Sequence, residues 1–136
     1  MPNKTYAKEW LRFAGRNLET ARLLNEARHY EDIIGIELQQ AIEKTLKSLL
    51  AHDDIKIPKE HDLLKLYFLL ESQLELDEDE IVMLRQATNY YKDDRYPNPN
   101  YNLPPRDEIE KILKFTEGLF ARVCKILGID PAEVQR

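Results

Sequence analysis

Tyr6, Trp10, Phe13, Ala14, Leu18, Ala21 and Leu24 recur at steps of three and four residues, the period that puts them on one stripe of a helix. The pattern predicts a first helix over residues 4–27. A second stripe, Ile34, Leu38, Ala41, Ile42, Thr45 and Leu49, predicts a helix over residues 31–51. Only Arg28, His29 and Tyr30 separate the two. A link that short folds two long helices back on each other, so an antiparallel helix 1–helix 2 hairpin is expected.

Leu63, Leu66, Tyr67 and Leu70 mark a third helix near residues 61–74. Asp77 followed by Glu80 is a capping-box pattern, which starts a fourth helix running through Ile81, Leu84, Arg85 and Thr88 to about Tyr91. The widest stripe belongs to residues 105–127, with Ile109, Ile112, Leu113, Thr116, Leu119, Phe120, Val123, Ile126 and Leu127. Pro105 suits its first turn, Asp107, Glu108 and Glu110 its positive end, Arg122 and Lys125 its negative end, and Gly128 its C-cap. No segment alternates as a strand does. The expected fold class is all-α, an up-and-down helical bundle of about five helices occupying residues 1–128, with 129–136 as a C-terminal tail.

A chain of 136 residues, 43% hydrophobic and 33% charged, has the balance of one soluble domain with a core. No apolar run is long enough to span a bilayer, and the N-terminus does not read as a signal peptide. The single cysteine, Cys124, lies on the last apolar stripe and is expected to be a core residue in a cytoplasmic, reducing setting. A net charge of −5 argues against a domain that coats a phosphate backbone, yet it leaves room for a local cationic site. The four glycines are scattered, so no Gly-rich phosphate loop is available.

Two stretches depart from routine. On the second helix Gln39, Glu43 and Lys47 stand one turn apart, with Glu37, Gln40, Lys44 and Lys47 in a row beside them. Spacing alone reads this as a solvated face with a Glu-to-Lys pair. Residues 92–105 hold four of the seven prolines, which stop either neighbouring helix from continuing. This segment sets Arg95 among Tyr90, Tyr91, Tyr96 and Tyr101. Arginine among stacking aromatics can read a base and its phosphate, while the same tyrosines could simply cover the bundle end.

The order of these pieces resembles the HEPN domain family over about residues 5–127. The pieces are Ala27-Arg28-His29-Tyr30-Glu31-Asp32, then Gln39-Gln40-Ala41-Ile42-Glu43-Lys44-Thr45-Leu46-Lys47, then His61-Asp62-Leu63-Leu64-Lys65-Leu66, then Tyr91 through Arg95-Tyr96-Pro97 before a long last helix. The resemblance implies a dimerising helical bundle associated with RNA or nucleotide, with a minimal nucleotidyltransferase as partner in a toxin–antitoxin-like pair. In the ribonuclease branch an arginine is followed, after four to six residues, by a histidine. Arg95 fits the arginine, but the eligible positions hold Asn100, Tyr101 and Asn102. Asparagine does not titrate, and tyrosine titrates near pH 10 by default. Arg95 therefore remains a catalytic candidate as a stabiliser of phosphorane charge, and its motif lacks the proton carrier.

Expected ligand or RNA contacts are Gln40, Glu43, Lys44, Lys47, Arg95, Tyr96 and Tyr101, with Glu43 orienting Lys47 or Arg95 rather than acting as a base. No cofactor is expected. His52, Asp53, Asp54 and His61 lack the spacing of a metal site, so no metal is expected either. His61 is assigned a structural role near the start of the third helix. Two other readings stand beside the leading one. The first is a metal-independent ribonuclease using Arg95 with Tyr101 or a histidine from elsewhere. The second is a non-catalytic dimeric interaction protein. A symmetric homodimer without membrane contact is expected in each.

Overall fold

A computed structural model describes residues 3–70, 73–93 and 103–135. Among these residues six helices follow in order: α1 (Lys4–Glu26), α2 (Glu31–His52), α3 (Leu63–Phe68), α4 (Glu78–Asp93), α5 (Arg106–Leu127) and α6 (Pro131–Val134). There is no strand among the described residues. α1 and α2 form the expected antiparallel hairpin, since Asn3 N–H at the start of α1 donates to His52 O at the end of α2, at 2.7 Å.

α2 is the central element. It packs against α1, α3, α4 and α5, and every residue from Leu38 to Ala51 except Gln40 and Lys44 is buried. The solvated-face reading of its polar row is therefore overturned: Gln39 is 0% exposed, and Glu43 and Lys47 are each 4% exposed. A helix surrounded on several sides keeps little surface for water. Its polar side chains must find partners within the protein.

Helix ends follow local chemistry. Asp77 N–H donates to Glu80 Oε1 at 3.1 Å and Glu80 N–H donates to Asp77 Oδ1 at 2.8 Å, the reciprocal capping box. Replacing Asp77 by Ala is expected to lower stability by about 1 kcal/mol, read as a shift in urea midpoint at unchanged slope. No shift would mean that the cap is redundant. Gly128 ends α5 in the left-handed region at φ 67°, where glycine carries no Cβ penalty. Arg28 and Asp54 take the same conformation after α1 and α2, at φ 53° and 57°.

α3 is shorter than its hydrophobic pattern suggested. Asp62 caps it by accepting from Leu64 N–H and Lys65 N–H, and it closes at Leu69 after six residues. Beyond it the chain turns so that Leu74 and Leu76 enter the core, with Leu76 N–H donating to the Tyr67 hydroxyl at 2.9 Å. After Gly128 the chain also stays attached. Ile129 is 3% exposed and Val134 2% exposed, and α6 packs on α1. Cys124 is buried in this core, and its thiol is pushed up to about 11, first by burial and then by Asp130.

Candidate functional site

The site grows from the spacing on α2. Residues four apart lie one above the other on a helix, so Gln39, Glu43 and Lys47 form a column. Lys47 Nζ donates to Glu43 Oε2 at 2.9 Å. Gln39 Nε2 donates to Glu43 Oε1 at 3.1 Å and to the backbone oxygen of His61 at 3.0 Å. Gln40 Nε2 donates in turn to Gln39 Oε1 at 2.7 Å. His61 closes the set: its Nδ1 lies 2.9 Å from Glu43 Oε1. Both oxygens of a buried carboxylate are thus occupied, one by an ammonium and the other by an amide and an imidazole.

The electrostatic balance explains why the carboxylate is charged. Burial alone would push Glu43 upward, but hydrogen bonds from Lys47, His61 and Gln39, with the positive charge of Lys47, outweigh it and hold its pKa below the usual 4.5. Lys47 gains a second neighbour in Trp10, whose ring centroid is 5.7 Å from Nζ. An ion pair this deep needs such saturation, since desolvation otherwise exceeds the attraction.

Lys44 belongs to a different chain of contacts. Its Nζ donates to Asn17 Oδ1 at 2.8 Å, and Asn17 Nδ2 donates to Glu37 Oε1 at 2.8 Å. Burial lowers the Lys44 pKa, partly countered by Glu43 and Glu37. The two lysines predicted to converge on a ligand are therefore engaged within the bundle, Lys44 with α1 and Lys47 with Glu43. Arg95, Tyr96 and Tyr101 lie outside the described residues.

His61 is the outward end of the buried column. Its side chain is 45% exposed, and its ring stacks on Tyr91 of α4 with centroids 4.4 Å apart and planes 27° apart. Beside it is a pocket of about 230 Å³ lined by Glu60, His61, Asp62, Lys65, Thr88 and Tyr91. Thr88 also holds the start of α3, accepting from Leu63 N–H at 3.1 Å. Among the described residues no group of three or more His, Cys, Asp or Glu side chains is arranged to hold a metal ion.

The sequence reading missed His61 as a site residue, along with Gln39, Lys65, Thr88 and Tyr91. His61 is eighteen residues from Glu43, beyond any helical spacing, so only its place in the histidine–leucine piece marked it. Gln39 stood in the same column as Glu43, and the bonding of that column was legible only once its burial was known.

Comparison with known proteins agrees with this architecture. The HEPN domain profile matches residues 7–127. The crystal structure of TT1696 from Thermus thermophilus superposes with a TM-score of 0.75 at 26% identity, covering 88% of this chain and 97% of that one. The crystal structure of ST0689, an archaeal HEPN homologue, gives a TM-score of 0.68 at 21% identity over 89% of this chain and 97% of its own, a likeness of fold. No curated protein matches. With nearly the whole bundle inside the matched span, the chain belongs to the HEPN domain family.

Proposed function

We propose that this protein is a HEPN module that binds RNA or nucleotide, acts as a homodimer, and works with a minimal nucleotidyltransferase in a toxin–antitoxin-like pair. Family membership supports the coarser statement, a nucleotide- or RNA-associated module. The observation that carries the ligand site is the His61–Tyr91 stack at the edge of a pocket that also presents Lys65. Stacked rings offer a face to a base, and an ammonium nearby offers a counter-charge to a phosphate. Arg95 follows Tyr91 by four residues in the chain and is the second cation to be tested.

The test is titration of a fluorescent oligoribonucleotide at two salt concentrations against wild type, Lys65→Ala and Arg95→Ala. Each substitution is expected to weaken binding about tenfold, the scale of one charged hydrogen bond, and to flatten the salt dependence. Unchanged affinity in both variants removes the site. Sedimentation reads the assembly: a species of 16.1 kDa at micromolar concentration rejects the homodimer. Copurification of a small nucleotidyltransferase from the native host tests the pairing.

A further inference from the structure

We propose that the pocket at the start of α3 selects guanine among the bases, with Glu60 the residue that reads its edge. The inference rests on the nucleotide reading above and deepens it. That reading supplies a stacking face and a counter-charge, neither of which tells one base from another.

Three observations carry it. The first is the anchoring of Glu60. Its Oε2 accepts from His61 N–H at 3.1 Å and from Asp62 N–H at 3.2 Å. Two backbone donors on one oxygen fix a carboxylate that would otherwise turn freely on its long side chain. The second is the acceptor capacity left over. Among the described residues no hydrogen bond reaches Glu60 Oε1, and Lys65 Nζ stands 4.0 Å from it, beyond hydrogen-bonding distance. Asp62 is used on one side only. Its Oδ1 accepts from Leu64 N–H at 3.0 Å and Lys65 N–H at 3.4 Å to cap α3, while Oδ2 accepts from none of the described residues. The third is the remaining wall. The Thr88 hydroxyl is engaged twice, donating to Leu84 O at 2.8 Å and accepting from Leu63 N–H at 3.1 Å. The pocket therefore presents two carboxylate oxygens, which only accept, beside the His61–Tyr91 stack.

The size of the pocket sets what enters it. At about 230 Å³ it falls below the roughly 300–1,000 Å³ of pockets that enclose a whole small ligand. It suits a base, with ribose and phosphate outside near Lys65, whose side chain is 69% exposed. An acceptor-rich wall then discriminates between bases. On its Watson–Crick edge guanine carries two adjacent donors, N1–H and the 2-amino group. Adenine and cytosine each set one amino donor beside a ring-nitrogen lone pair. Uracil sets its one N–H between two carbonyl oxygens. A carboxylate satisfies both guanine donors and faces a lone pair on every other base. Glu60 Oε1, with two lone pairs, is the acceptor for these donors, and Asp62 Oδ2 adds another on the same wall. Because Asp62 also caps α3, the test is made at Glu60.

The experiment measures binding of the full chain to fluorescent pentaribonucleotides of uridine whose central base is guanine, hypoxanthine, adenine or cytosine. The guanine form is expected to bind about 10–100-fold more tightly than the adenine or cytosine form, the scale of one good two-point base contact. Hypoxanthine keeps N1–H but lacks the 2-amino group and should fall between. Glu60→Gln puts an amide donor where the second carboxylate oxygen was and is expected to remove most of the preference, with affinity for the adenine form unchanged. A guanine preference that survives intact in Glu60→Gln overturns the assignment to Glu60. If that variant does not fold, the wild-type series decides: hypoxanthine or adenine binding as tightly as guanine overturns the proposal. Equal binding of all four forms overturns base selection and leaves the nucleotide reading standing. Binding of none overturns both.

Discussion

Replacing Glu43 by Ala is expected to lower the unfolding free energy by about 3–5 kcal/mol, a drop in Tm of roughly 10–20 °C for a domain of this size. The cost does not come from a surface ion pair, which would contribute about 1 kcal/mol or less. Glu43 and Lys47 side chains are 5% and 6% exposed, so removing the carboxylate leaves an ammonium buried without its counter-charge. It also frees the donors of Gln39 and His61. Glu43→Gln keeps the volume but not the charge and is expected to cost about 2 kcal/mol. The double variant Glu43→Leu/Lys47→Met should recover most of the loss, because a packed apolar pair often equals a buried ion pair. Melting of Glu43→Ala within about 1 kcal/mol of wild type, the scale of a surface pair, would sink the account.

The pH dependence follows with a definite sign. Glu43 has a folded pKa held below its usual 4.5, so its contribution is complete above the unfolded value. It is lost as pH falls through the lowered folded value. Wild type and Glu43→Gln should therefore differ most near neutral pH and converge in acid. Urea titrations at several pH values read this directly, and a gap that widened in acid would contradict the direction of the shift.

Gly35→Ala is expected to destabilise the protein by about 1–2 kcal/mol, although alanine is the better helix former by about 1 kcal/mol. A Cβ at Gly35 would meet Tyr90 Cγ at 2.9 Å, Cδ2 at 3.0 Å and Cβ at 3.3 Å. These atoms lie at the root of the side chain, next to the α4 backbone, and the Tyr90 hydroxyl is tethered to Glu108 on α5. The ring cannot swing aside, so the helices must separate, and overpacking costs typically about 1–3 kcal/mol. Gly35→Leu should cost about 3 kcal/mol, the upper end of that range. In a Tyr90→Ala background the alanine is expected to become neutral or stabilising, which makes the pair a double-mutant cycle. A stabilised Gly35→Ala single variant would show that α2 and α4 have slack at this crossing.

Much of the fold was legible residue by residue. The stripes of α1, α2 and α5, the Asp77–Glu80 box and the Gly128 terminus are encoded locally, since period and capping depend on neighbours within a turn or two. The short α3 was not legible, because Leu70, Leu74 and Leu76 suit a core whether the chain reaches it as helix or as turn. α6 was missed for a similar reason: four residues carry too little period to register, and its place is set by the burial of Val134 in the bundle. The candidate site divides in the same way. Spacing alone pairs Glu43 with Lys47 on α2 and the family resemblance made them ligand candidates, whereas the contact of His61 with Glu43 joins two elements and no spacing carries it.

By itself, the sequence determined the helical class, the hairpin of α1 and α2, the long-helix boundaries and the column of Gln39, Glu43 and Lys47, because each depends on 3.6-residue periodicity. Tertiary structure alone decided that this column is buried rather than solvated. A helix does not carry in its own spacing the number of neighbours that will surround it. That burial turns an ordinary Glu-to-Lys pair into a saturated buried carboxylate. Tertiary structure also brings His61 and Tyr91, thirty residues apart in the chain, face to face at the solvent-exposed end of the column.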